Sequence, residues 1–369
     1  MDHNEIIKDE RSLNLMNILY GSYVKMELLE KLVYETYGNS SIADATELNI
    51  FIDINSIIHS LYSEKNRIVY NNITDLSSGL INLCAHYRSF FRYKLGVETR
   101  FYLINSLNTC QLNKKFVFDY NCEFENKARI TSTKKLIDNN LSLLKILCPY
   151  LPGIYYIDSV DNYESSVIMA HIIETINSKC PNLIISRDLY PLQLTALYPY
   201  TSYLFPKKNR TGDVSWMLPI NEKQGYRELF WSNYISALTQ KFSIKLVQDL
   251  SPINFPLFLA LYKFPQRSMK MINTSFSASV ARKIILSLVG TEDIKVQYSQ
   301  ILNSEFLINS FPVQIIESRY EAVDVPFALQ YYKTSPDAIY NFTDLQDNET
   351  VNNICARYYS TNPLRLDLL

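Results

Sequence analysis

NLIISRDLYPLQLT, residues 182–195, opens on a short apolar run and then meets an acid. Leu183, Ile184 and Ile185 read as a buried parallel strand. Ser186, Arg187 and Asp188 fall where that strand should end, and helix-like spacing follows. In open α/β sheets, ligand sites gather at the carboxyl ends of strands. Asp188 is therefore either a metal ligand or the N-cap of the next helix. The choice turns on whether other carboxylates reach the same edge.

Working outward, LNIFI (48–52) predicts a strand ending at Asp53, and 56–63 returns to helical spacing. Thr74 or Asp75 can cap a helix through LSSGLINLCAHYRSFFRYKLG that stops near Gly96. VETRFYLINS (97–106) predicts a second strand, and KKLIDNNLSLLKILCPYL (134–151) a helix broken by Pro152-Gly153. IYYID (154–158) predicts a third strand, SSVIMAHIIETINSK (165–179) a helix, and TSYLFPKK (201–208) a further strand after the opening one. This alternation predicts a parallel sheet with right-handed crossovers. Before it, residues 1–47 have helical spacing; after it, 226–290 read as helical with prolines at 252, 256 and 265. Residues 291–369 mix short apolar runs with polar loops and form a C-terminal extension without an assigned role.

Composition narrows the function classes. The chain has 369 residues, enough for two compact domains or one with extensions. At 47% hydrophobic residues it can bury a large core. The net charge of -1 gives no global field for nucleic acid, so such binding would need local patches. The six cysteines (84, 110, 122, 148, 180 and 355) form no CxxC pair, which argues against zinc and for reduced thiols. No GxSxG, P-loop or GxGxxG is present, and Cys110 has no His in its sequence context. His59 and His86 read as packing or surface residues. The polar start is neither a secretion signal nor a membrane anchor, and no apolar run reaches the ~18 residues of a spanning helix. An Asn-, Ile-, Lys- and Tyr-rich composition, with 28 tyrosines, fits an AT-rich coding genome, that of a virus or a low-GC bacterium. Abundant aromatics also suit interface cores and assembly.

Four strand ends can be compared. The first supplies Asp53 and the second Ser106; the third leads to Asp158, Asp161 and Glu164; the fourth supplies Asp188. Three connections thus send acids toward one rim, the pattern of a present or ancestral metal site.

These residues resemble the 5′-nuclease family of flap endonucleases, phage 5′-exonucleases and PIN-like relatives. IFIDINSIIHSLY (50–62) is similar to the family's first strand and helix start. NYESSVIMAHI (162–172) resembles its Tyr-Glu-Ala-Asp-Asp helix, and IISRDLYPLQL (184–194) its Asp-x-Asp segment. KFPQRSMKMINTSFSASVARKIILSLV (263–289) resembles its helix–hairpin–helix. The resemblance implies an α/β fold: a mainly parallel PIN/FEN-like sheet flanked by helices, a helix–hairpin–helix-like region and terminal extensions. It divides the chain into 1–47, a nuclease-like domain at 48–225, a helical region at 226–290 and the extension at 291–369.

Carried onto matching positions, the family's metal site leaves Asp53, Glu164 and Asp188, with Asp161 able to assist. The remaining acid positions fall on Ser106, Ser166, Val167 and Tyr190. Valine and tyrosine offer Mg²⁺ no carboxylate, so the expectation is no cofactor, or one weakly bound Mg or Mn ion. The hairpin MINTSFSASVA has no glycine, although close phosphate approach favours one. Positive charge persists at Lys207, Lys208, Arg210, Arg267, Lys270, Arg282 and Lys283, which could contact DNA phosphates or simply be solvated. The expected protein is a catalytically degenerate nuclease-like module, structural or DNA-proximal. Its expected setting is a phage virion or the cytoplasm of an infected cell, not secretion. Its expected partners are other viral structural proteins, further copies of itself, or DNA, with no membrane. The alternative is an active Mg/Mn-dependent nuclease with a reduced acid set.

Overall fold

A computed structural model of the chain describes residues 46–54, 75–106, 131–158, 164–176, 180–186, 190–198, 201–208, 214–217, 324–333, 347–359 and 363–369. The strands are β1 (Glu47–Asp53), β2 (Glu98–Asn105), β3 (Ile154–Asp158), β4 (Asn182–Ile185), β5 (Thr201–Lys208) and β6 (Val214–Met217). The helices are α1 (Asp75–Leu95), α2 (Thr131–Leu147), α3 (Ser165–Ile176), α4 (Leu194–Leu197), α5 (Val325–Lys333) and α6 (Asn348–Tyr358). One sheet runs β3-β2-β1-β4-β5-β6. The first five strands are parallel, and β6 pairs antiparallel with β5. This is the α/β fold expected, with β6 added at one edge. The helix–hairpin–helix-like stretch, 263–289, lies outside the described residues.

The strand order explains where a site should form. From β1 the chain steps outward through β2 to β3, then returns to place β4 on the other flank of β1. The order reverses between β1 and β4, and a crevice opens outside their carboxyl ends at such a switch point. Right-handed crossovers made in opposite directions put their helices on opposite faces.

Alternation along the strands agrees. Leu48, Ile50, Ile52 and Ile54 join Phe101, Leu103, Leu183 and Ile185 in a core with apolar residues of α1 and α2. On the opposite face Phe51, Tyr102 and Tyr155 stack across three strands, with ring centroids 4.9 and 5.4 Å apart. There α3 packs against β2, and α5 packs on α3. At the amino end of the sheet, Asn49 donates to Asn182 (3.1 Å) and Asn182 to Thr201 (3.3 Å), a buried polar ladder that pins the register.

Two glycines turn the chain where the sequence placed breaks. Gly96 has φ +66° and ends α1; its N–H donates to the Arg92 carbonyl at 3.0 Å. Gly153, also at φ +66°, leads into β3, and its carbonyl accepts from Phe101 N–H at 2.8 Å.

The end of the chain returns to α1. Tyr359 is buried, and its hydroxyl donates to Ser77 Oγ at 2.9 Å. Asn82 donates to the Pro363 carbonyl and accepts from Arg365 N–H. Buried Arg88 donates to the carbonyls of Thr99 (3.1 Å) and Leu369 (3.3 Å). Among the described residues, no helix is long and apolar enough to cross a membrane.

Candidate functional site

At the switch point, β1 delivers Asp53 to the rim, where it is only 1% exposed. Parity puts Asp53 on the face of Phe51, away from the α1–α2 core. Ile52 pairs with Ile185, so the next residues, Asp53 and Ser186, fall side by side. Ser186 Oγ donates to Asp53 Oδ2 at 2.8 Å. The bond gives the buried Asp53 side chain a polar partner in place of water. On the other flank, Ser106 follows β2 and is also buried.

Glu164 stands at the start of α3. Its carbonyl accepts from Val167 and Ile168 N–H at 3.0 and 3.2 Å, so its backbone is continuous with the helix. Glu164, Ser165 and Ser166 are all buried. Asp53 and Glu164 are thus fixed in the described structure, while Asp161 and Asp188 lie outside the described residues. Among the described residues, no three His, Cys, Asp or Glu side chains form a group that could hold a metal ion.

Asp158 behaves differently from the sequence expectation. It ends β3 opposite Asn105, in register with it, and shares a network with α2. Lys145 Nζ donates to Asp158 Oδ2 at 2.8 Å, while Asn105 (3.0 Å) and the Tyr156 hydroxyl (2.8 Å) donate to Oδ1. Asn105 has the parity of Phe101 and Leu103, so this network faces the α1–α2 side. Asp158 therefore belongs to the face opposite Asp53, with both oxygens engaged. Its partial burial favours the neutral acid, but bonds from Lys145, Asn105 and Tyr156 outweigh that and hold its pKa below the usual carboxylate value. Burial, and then the nearby Asp158 carboxylate, push the Tyr156 phenol well up. One of the acids expected at the rim is thus removed from it by strand parity. Lys145 was not singled out in the sequence, because it lies on a helix 13 residues before its partner.

Lys207 and Lys208 close β5 in the backbone. Arg210, Arg267, Lys270, Arg282 and Lys283 lie outside the described residues.

No protein-family model and no curated protein match this sequence. Among solved structures, the chain is similar to a bacteriophage T5 flap endonuclease in a pseudo-enzyme–product complex with DNA and metal ions. The two share 12% identity and a TM-score of 0.48 over 84% of this chain and 99% of that one. It is also similar to the T5 5′-exonuclease with bound divalent zinc, at 13% identity and a TM-score of 0.44, over 77% of this chain and 90% of that one. These proteins are of the class that the sequence motifs resemble.

Proposed function

We propose that this protein is a nuclease-like module with a reduced acid rim, acting beside DNA or within a viral assembly rather than as a two-metal nuclease. The observation that carries this reading is the make-up of the switch-point rim. Asp53 is buried and bonded by Ser186, and Ser106, Ser165 and Ser166 stand around the neighbouring strand and helix ends. Two-metal phosphodiester chemistry needs carboxylates enough to hold two ions about 4 Å apart. Serine hydroxyls are neutral and weaker ligands for a hard dication. Asp158, a further acid of the same edge, is committed to Lys145 on the opposite face.

The donor set suits at most one Mg or Mn ion, held by Asp53, Glu164 and Asp188 with Asp161 assisting. Such an ion would supply charge to a phosphate or activate a water when bound. The chain's own contribution is to orient Asp53 through Ser186. DNA contact would fall to Lys207, Lys208, Arg210, Arg267, Lys270, Arg282 and Lys283. The virion or the infected cell's cytoplasm is the proposed setting, with viral structural proteins or further copies as partners.

Incubation of the full chain with flapped and single-stranded DNA and Mn²⁺ tests the reading. No cleavage is expected. Cleavage that disappears in Asp188→Asn would establish the live nuclease instead. Salt-dependent DNA binding that weakens in an Arg282→Ala/Lys283→Ala double variant would support the DNA-proximal role over a purely structural one.

A further inference from the structure

We infer that α5, from the far end of the chain, positions the rim by holding α3, whose start carries Glu164, together with the turn Tyr190–Gln193 that comes after β4. The inference rests on reading that rim as the remnant of a metal site. Its first support is α3. Every residue from Ser165 to Ala170, together with Ile172 and Ile173, is buried. A helix apolar around most of its circumference needs cover on both sides. Both β2 and α5 pack on α3, with Val325 and Leu329 of α5 buried. Glu164 is bonded through its carbonyl to the first turn of α3, so whatever fixes α3 fixes the backbone of Glu164.

The second support is Gln193. It ends the short turn Tyr190–Gln193, five residues after Asp188 in sequence. Its Oε1 accepts from Val325 N–H at 3.3 Å, a buried bond spanning 132 residues. Val325 is the first residue of α5, and a first-turn N–H has no acceptor within its own helix. Asp324 caps the same end, accepting from Phe327 N–H at 3.0 Å through Oδ2. The turn after Asp188 thus completes the capping of α5, and α5 in return fixes that turn. The turn also packs on α3, which closes the triangle.

The test is hydrogen exchange on the full chain, read by mass spectrometry, with Mn²⁺ titration followed by electron paramagnetic resonance. Gln193→Met keeps length and removes the acceptor; Gln193→Glu keeps an acceptor; Leu329→Ala loosens α5 on α3. In Gln193→Met, exchange over 190–198 and 324–333 should rise about tenfold, with protection regained in Gln193→Glu. In Leu329→Ala, exchange over 164–176 should rise as well. Strands 47–53 and 98–105 should stay at wild-type rates in all three variants. Wild-type exchange over 164–176 and 190–198, or equal acceleration in every strand, would overturn the inference. Mn²⁺ affinity should fall about tenfold in Gln193→Met. A wild type that binds no Mn²⁺ would end the one-ion reading, while the exchange pattern would still decide the positioning role.

Discussion

Gly153 shows how one residue can be fixed by two independent constraints. It sits at φ +66°, and a Cβ there would stand 2.6 Å from Arg88 Nη2. Arg88 is itself buried and bonded to two carbonyls, with its guanidinium 5.6 Å from the Phe101 ring centroid, so it cannot swing aside cheaply. Gly96 shares the backbone angle, but a Cβ there would meet nothing within 4 Å. Gly96→Ala should therefore cost about 1 kcal/mol, the conformational term alone. Gly153→Ala should cost about 2–4 kcal/mol, because a buried charge is also displaced. Urea unfolding of the two variants reads the difference. The breaks themselves were legible, since Pro152-Gly153 and the glycine after YKL punctuate helical runs. What made Gly153 irreplaceable was not legible, because Arg88 lies 65 residues away along the chain.

Asp158 gives a residue-scale prediction in pH. Burial opposes its charge, but the bonds from Lys145, Asn105 and Tyr156 prevail, so the folded pKa lies below the ordinary 3.8. A lowered carboxylate pKa adds stability that is present above the unfolded value and is lost as pH falls through the folded one. Wild-type stability should therefore drop more steeply below about pH 4 than that of Asp158→Asn. Matched slopes in acid urea titrations would show that the network is electrostatically idle. The sequence announced an acid at this strand end, but not its face. Parity is visible within a strand; the register between strands decides which parities share a side.

At the scale of elements, short apolar runs made β1, β2 and β4 readable, because burial on both faces leaves a nearly continuous apolar signature. The edge strand β6 is four residues long, pairs antiparallel with β5 and carries no such run. Helix α3 held a signal that was only half used. Its spacing predicts a helix, yet apolar residues around most of its circumference also require a second covering element. That element, α5, lies in a stretch whose own spacing looked irregular. Its apolar partners are supplied by a distant part of the chain, so local periodicity under-reports it. The rim was legible to the same degree: Asp53 was fixed by the end of its strand, whereas its bond to Ser186 depends on which strand lies beside β1.

Helix α6 and the residues after it raise an element-scale prediction of their own. The Tyr359 hydroxyl is buried against Ser77, and burial lifts its pKa from 10.0 to about 12. A raised phenol pKa contributes stability fully present below the unfolded value and lost as pH climbs through the folded one. Tyr359→Phe should lose about 1 kcal/mol at neutral pH. It should also lose less than the wild type between pH 10 and 12, which alkaline urea titration measures.

For the whole molecule, the decisive fact is that the final segments pack on both faces of a sheet built largely from the first half. Val351 and Tyr359 belong to the α1–α2 core, and Leu364, Leu366 and Leu369 pack against it. Val325 and Leu329 bury themselves on the α3 side. Hydrogen bonds tie Ser77, Asn82 and Arg88 to partners 281 to 283 residues further on. Native contacts of such sequence separation bring a large loop-closure cost, so they form late and close the core when they do. The tail should then behave as part of the core rather than as an appendage. A chain ending at residue 346 removes Val351, Tyr359 and the strand of bonds along α1, exposing one whole side of that helix. It should unfold without a sharp cooperative transition in urea and bind a hydrophobic dye that the full chain excludes. Replacing Arg365 with alanine should leave cooperativity intact, since that residue bonds to Asn82 through its backbone N–H, which survives the change. A truncated chain that kept the full chain's unfolding slope and midpoint would mean that the α1–α2 core is complete without its last residues.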